Sequence, residues 1–277
     1  MPERIIFLDG MYLKKDDTFI QAFAPGNLRA RGVFETLRAA RGKVFDLTEH
    51  LGRLAEGIKI FKLQLPWSLA ELQKAVQTTS RKNILAQARV RVLVWRCQEQ
   101  CAHCLVTVLP YQPFSRRKYR QGFSVLLVRT NRAPTARFAS LKALENPAVF
   151  GASRKAQTQG FDDALLVNQS GEIFEAGRAN IFVVRDGVVL TPPLRSGCLN
   201  GITRRAVFSI AHRRKIPIRE QRLTAPQVLS SPEAFLTNSM LGVMPLAHLN
   251  RRPIGDGRPG PITELFMKIY CQSRLAL

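Results

Sequence analysis

Leu199-Asn200-Gly201-Ile202-Thr203-Arg204 is the stretch on which the reading of this chain turns. It sets a glycine and a hydroxyl side chain where a helix over about 202–214 begins. The first N–H groups of a helix have no partner of their own, and the aligned peptide dipoles favour an anion beside them. Phosphate suits such a terminus well. An ordinary helix start satisfies the same letters, so the stretch must be judged with what surrounds it. Three other residues suit an anionic, electron-withdrawing cofactor. Arg53 lies off the apolar stripe of its helix and is either a charge-assisted clamp or an exposed arginine. Lys142, in Ser140-Leu141-Lys142-Ala143, has apolar neighbours. Desolvation lowers a lysine's pKa and fits it to form a Schiff base, whereas a snorkelling surface lysine needs no chemistry. Glu175, ahead of Ala176-Gly177, is a carboxylate that could hold a ring nitrogen protonated, or a plain turn residue.

Further out, the N-terminal third reads as strands, then two helices, then a strand pair. Val33 to Ala39 is an apolar-rich strand, and Gly42 sits in the turn to Val44-Phe45. Asp46 with Glu49 predicts a capping-box helix start, after which Leu51, Leu54, Ile58 and Phe61 recur at helical spacing. His50 and Arg53 fall outside that stripe. Ser68 with Glu71 opens a second helix in the same manner. Arg89 to Trp95 alternates basic and apolar residues, and Leu105 to Leu109 returns beside it. Later strands are expected at Ser124–Val128, Asp163–Val167, Ile181–Val184 and Val188–Thr191, the last two joined by the hairpin signal Asp186-Gly187. Helices are expected at about 147–158, 202–214 and 262–274, the last opened by Pro261. This interleaving predicts an α+β chain of two domains. A smaller domain over 1–112 and a larger one over 123–277 flank a Pro- and Arg-rich linker over 113–122.

Forty-two Lys and Arg residues against 20 Asp and Glu give a net charge of +22. No aromatic-interleaved stripe or nucleic-acid motif accompanies that charge, so neither nucleic acid nor membrane is the expected partner. The opening residues lack the apolar core of a signal peptide, no apolar run reaches membrane-spanning length, and an odd count of five cysteines suits reduced thiols. A cytoplasmic protein is therefore expected. Cys97, Cys101 and Cys104, with His103 among them, have the spacing of an iron–sulfur or zinc set. They stand at a hairpin tip between apolar strands, where converging thiolates are a poor fit, so no metal is expected.

In order along the chain, the motifs resemble those of the fold-type IV pyridoxal-phosphate (PLP) enzymes, a family of branched-chain and D-amino-acid aminotransferases and aminodeoxychorismate lyase. The segments that carry the resemblance begin with Gly32-Val33-Phe34-Glu35-Thr36-Leu37-Arg38, Glu49-His50-Leu51-Gly52-Arg53-Leu54 and Lys142. They continue with Gly160-Phe161-Asp162-Asp163-Ala164, Gly171-Glu172-Ile173-Phe174-Glu175 and Gly197-x3-Gly201-Ile202-Thr203-Arg204, and end at Phe235-Leu236-Thr237-Asn238-Ser239. The resemblance implies a smaller N-terminal α/β sandwich and a larger domain with a pseudo-barrel sheet, PLP in the cleft between them, and a homodimer. It implies that Lys142 bonds the cofactor and moves the Cα proton. By the same resemblance Arg53, Gly201, Ile202, Thr203 and Asn238 surround the phosphate, and Glu175 pairs with the pyridine nitrogen.

Within the family, Thr36 in Phe-Glu-Thr and Asn238 in Thr-Asn-Ser resemble the lyase pattern, whereas branched-chain enzymes show Phe-Glu-Gly and Gly-Thr-Ala there. The function expected on that footing is 4-amino-4-deoxychorismate lyase, releasing pyruvate and 4-aminobenzoate for folate synthesis from a small anionic amino substrate. In that reading Thr36 acts near the leaving group and Arg96 meets a substrate carboxylate. The alternative is a branched-chain or D-amino-acid aminotransferase of the same fold. Glu145 and Asn146 depart from the family, which commonly has Asn and then Tyr or Arg after the lysine. Leu28-Arg29-Ala30-Arg31-Gly32 departs too, with two cations in place of an acidic approach.

Overall fold

A computed structural model describes residues 3–25, 27–28, 30–96, 102–131 and 141–275. The chain forms two compact units, Met1–Pro113 with Leu141–Asn146, and Phe114–Ser140 with Pro147–Leu277. Residues 141–146 thus belong by their contacts with the first unit, though the chain order sets them among the second.

The first unit holds β1 (Glu3–Leu8), β2 (Met11–Asp16), α1 (Asp17–Ala22), β3 (Arg31–Ala40), β4 (Lys43–Val44), α2 (Leu47–Phe61), α3 (Leu69–Lys82), β5 (Ala88–Arg96) and β6 (His103–Pro110). Its six strands form an antiparallel sheet in the order β2-β1-β6-β5-β3-β4. Strand alternation sends Val33, Leu37, Val90, Val92, Val94 and Val106 to one face, where the apolar stripes of α2 and α3 cover them. Ser68 caps α3 as expected, with Glu71 closing the reciprocal box. Asp46 does not cap α2: its backbone is left-handed at φ 51°, which aims the carboxylate away from the first-turn amides, and no side-chain cap bond forms. Gly57 lets α2 come close to the sheet, since a Cβ there would lie 2.8 Å from a Val33 methyl.

The second unit holds α4 (Arg116–Gln121), β7 (Phe123–Arg129), α5 (Pro147–Thr158), β8 (Asp163–Val167), β9 (Glu172–Ala176), β10 (Asn180–Arg185), β11 (Val188–Thr191), α6 (Ile202–Arg213), β12 (Ile218–Glu220), β13 (Leu223–Thr224), α7 (Ala225–Leu229), β14 (Glu233–Asn238), β15 (Gly242–Leu249), β16 (Arg252–Pro253) and α8 (Pro261–Leu275). Its mixed ten-stranded sheet runs β12-β11-β10-β14-β15-β7-β8-β9-β13, with β16 on β15. The β10–β11 turn carries positive φ at both Asp186 and Gly187, as a tight primed turn requires. On one side Phe182 stacks on Phe235 at 4.9 Å beneath α6 and α8. The segment expected to be a plain linker folds into α4, because Ser115 caps it through the Lys118 N–H.

No helix of the described residues is long and apolar enough to cross a membrane. Among the described residues no group of three His, Cys, Asp or Glu side chains could hold a metal. Cys97 and Cys101 lie outside the described residues. Cys104 points into the core, where burial, with Asp9 nearby, pushes its thiol up to about 12.

Candidate active site

In the first unit β3 carries two different chemistries on its two faces. On the core face, Glu35 is 1% exposed. An isolated carboxylate there would cost several kcal/mol, so it must be paired. Arg53 grips it with two nitrogens, Nε donating to Oε1 at 2.7 Å and Nη2 to Oε2 at 2.8 Å. His50 Nδ1 lies 2.6 Å from Oε2. Burial alone would raise the Glu35 carboxyl; the Arg53 guanidinium and the bonds from His50 and Arg53 outweigh it and bring it down to about 2. His50 and Arg53 stand off the apolar stripe of α2 because their side of the helix faces this carboxylate.

On the opposite face the β3–β5 register places Phe34 against Leu93, Thr36 against Arg91 and Arg38 against Arg89. The row passes from apolar to cationic over these three residue pairs, about 13 Å at the usual strand rise. Lys142 meets its apolar end. The Phe34 N–H donates to the Lys142 carbonyl at 2.9 Å and the Leu144 N–H to the Gly32 carbonyl at 3.0 Å, so residues 142–144 lie along β3. The Lys142 Nζ then sits 4.8 Å from the centre of the Phe34 ring. At the other end Arg38 is bonded to Gln87, but Arg89 and Arg91 each bury an Nε with no partner among the described residues. Burial, and then the charge of Arg89, lower the Arg91 guanidinium to about 10; burial lowers Arg89 as well. Two crowded cations with unmet donors make this face attractive to a carboxylate.

Arg96, expected to meet substrate, ends β5 on the parity of Val94, the face away from Thr36. Arg91 occupies the face of Thr36 instead. The signal for it was the run Arg89-Val90-Arg91-Val92, which puts both basic side chains on one face of a strand.

The second unit holds the stretch read first. Gly201 is the N-cap of α6 and supplies no capping side chain. The N–H groups of Ile202, Thr203 and Arg204 find no acceptor among the described residues, while Ile202 and Thr203 are 5% and 1% exposed. Three buried, aligned donors fit a phosphate. A Cβ on Gly201 would fall 2.1 Å from Asn180 Oδ1, so the close turn needs glycine. Glu175 lies inside β9 rather than in a turn, 8% exposed, and accepts the Leu199 N–H at 2.9 Å. Asn180 donates to the Leu199 carbonyl at 2.7 Å. Both side chains therefore fix the loop that presents the helix terminus. The Thr203 hydroxyl meets the Tyr270 hydroxyl at 3.2 Å. Asn238 donates to the Arg178 carbonyl and accepts the Met240 and Leu241 N–H groups, so its amide shapes the β14–β15 turn.

The chain belongs to the class IV aminotransferases, whose family model matches residues 32–249. It is a PLP-dependent enzyme with the mixed α/β fold of that family. It is similar to the branched-chain-amino-acid aminotransferase of Pseudomonas aeruginosa, 29% identical over 96% of this chain and 91% of that one. The Escherichia coli branched-chain aminotransferase structure superimposes with a TM-score of 0.88 at 25% identity, covering 100% of this chain and 95% of that one. The branched-chain aminotransferase of Thermoproteus uzoniensis, solved with norvaline, matches at TM-score 0.85 and 27% identity over 99% and 96% of the two chains.

These relatives overturn the aminodeoxychorismate lyase reading, and with it the roles in folate synthesis and pyruvate release. That reading rested on Thr36 and Asn238. The Asn238 side chain is committed to the Met240 and Leu241 N–H groups of its own turn and to the Arg178 carbonyl, so its letter reflects how the turn is built and held and does not identify a reaction.

Proposed function

We propose that the chain is an aminotransferase of the branched-chain type, moving an amino group between an apolar amino acid and a dicarboxylate partner. The observation that carries this is the graded row on β3 and β5, with Phe34 and Leu93 beside Lys142 and the Arg91 and Arg89 guanidiniums beyond. An apolar side chain and an anionic one can each find complementary chemistry along one row. The names of the relatives support the apolar half of the reading.

When bound, PLP supplies the electron sink that makes breaking the substrate Cα–H bond feasible. In this proposal Lys142 is the residue that bonds the cofactor and, once released, takes the Cα proton at Nζ and passes it on. The Ile202, Thr203 and Arg204 N–H groups take the phosphate, Gly201 keeps the approach open, and Arg53 adds positive charge fixed in place by Glu35. Glu175 keeps the ring nitrogen protonated. Thr36, opposite Arg91, orients the substrate, and Arg91 takes the second carboxylate.

The test is a comparison of kcat/KM for leucine and glutamate in the wild type and in Arg91→Leu. Glutamate should lose about 10- to 100-fold, chiefly through KM, as expected when a charged hydrogen-bond partner goes. Leucine should stay within about threefold. An equal loss for both, or none for glutamate, rejects this assignment.

A further inference from the structure

The second unit contains a cavity of about 420 Å³ that shares no residue with the proposed cofactor or substrate groups. Its polar walls include Lys118 and Arg120 from α4, Ser124 from β7, Asp162, His248 from β15, and Arg258. Asp162 is the only carboxylate in the lining, and it is already occupied. Lys118 Nζ lies 2.7 Å from its Oδ1, and the Ser124 N–H donates to its Oδ2 at 2.8 Å. The side chains of Arg120, Arg258 and His248 have no hydrogen bond or ion pair among the described residues. Arg116, Arg117, Arg251 and Arg252 add exposed charge on the elements that frame the cavity. So many like charges around one concavity repel one another, and a multivalent anion would relieve them.

Apart from the His248 imidazole the lining has no aromatic or branched aliphatic side chain, hence no apolar surface on which an acyl chain could pack. Its two unpaired guanidiniums instead match phosphate oxygens in the bidentate manner. The cavity also lies far from the α6 end of its sheet. Gly242 begins β15 beside the Asn238 turn, and His248 is near the strand's other end, roughly 20 Å away at the usual rise of about 3.3 Å per residue.

We propose that this cavity is a second ligand site that takes a small anion bearing two or more phosphate groups, gripped by Arg120 and Arg258. Such a site would let a phosphorylated metabolite act on the enzyme from the end of the sheet opposite the cofactor groups. The test titrates tripolyphosphate into the PLP-saturated protein by calorimetry at fixed ionic strength. Saturable binding at one site per chain is expected, weakened at least tenfold in Arg120→Gln/Arg258→Gln. Both arginines are exposed and unpartnered, so that variant should keep the wild-type visible spectrum and basal activity. Three results overturn the proposal. One is heat that does not saturate; another is equal affinity in the double variant. The third is binding of a single-stranded RNA oligomer that is tighter than tripolyphosphate and falls steeply with salt, which would make the face a nucleic-acid surface.

Discussion

Glu35 ties the stability of the first unit to pH, and the sign follows from its carboxyl. In the folded chain it is held at about 2 against an ordinary 4.5. Its contribution is therefore complete above pH 4.5 and is lost as pH falls from about 4.5 towards 2. The difference corresponds to about 3 kcal/mol. Urea midpoints measured across that window should fall in the wild type, and Glu35→Gln should remove most of the slope. At neutral pH that variant leaves Arg53 without its carboxylate and should cost about 3–5 kcal/mol. A slope unchanged in the variant would mean that other carboxylates carry the acid sensitivity. The letters of Arg53, Lys142 and Glu175 were legible as candidates because each is an unusual residue for its surroundings. Glu35 was not, and His50 showed only as a polar residue off the apolar stripe, since their pairing joins a strand to a helix through space.

At the scale of the element, α6 presents its first turn without a capping side chain, and Gly201 is what keeps that end open. In Gly201→Ala the new Cβ would collide with Asn180 Oδ1, which helps to hold the Leu199 loop. Overpacking of this kind costs about 1–3 kcal/mol. PLP affinity, followed by absorbance titration, should fall at least tenfold, with a smaller loss in thermal stability. An unchanged affinity would remove the α6 terminus from the phosphate site. Helix starts were readable where side chain and backbone agree, as at Ser68 and Glu71. They were misread at Asp46, where a left-handed backbone cancels a favourable letter. Arg96 lies on the face of β5 away from Thr36, because a strand's parity decides which way each side chain leaves it.

Across the whole molecule, the alternating and helical patterns foretold two layered units. They did not foretell that residues 142–144 would pair along β3, because that pairing joins positions about a hundred residues apart and depends on no local signal. The family resemblance supplies the rest of the architecture but not the reaction, because Thr36 in β3 and Asn238 at the β14–β15 turn do not by themselves identify a chemistry. We propose from the same resemblance that the enzyme is a homodimer; light scattering should give twice the chain mass, and a concentration-independent single-chain mass would contradict it. The most direct measurement of the central assignment is the visible spectrum of the purified protein with PLP, before and after borohydride, followed by mapping of the reduced peptide. A yellow band that reduction bleaches and traps on Lys142 is the expected result. No band after PLP is added, or an adduct on another lysine, would contradict the placing of the cofactor on Lys142.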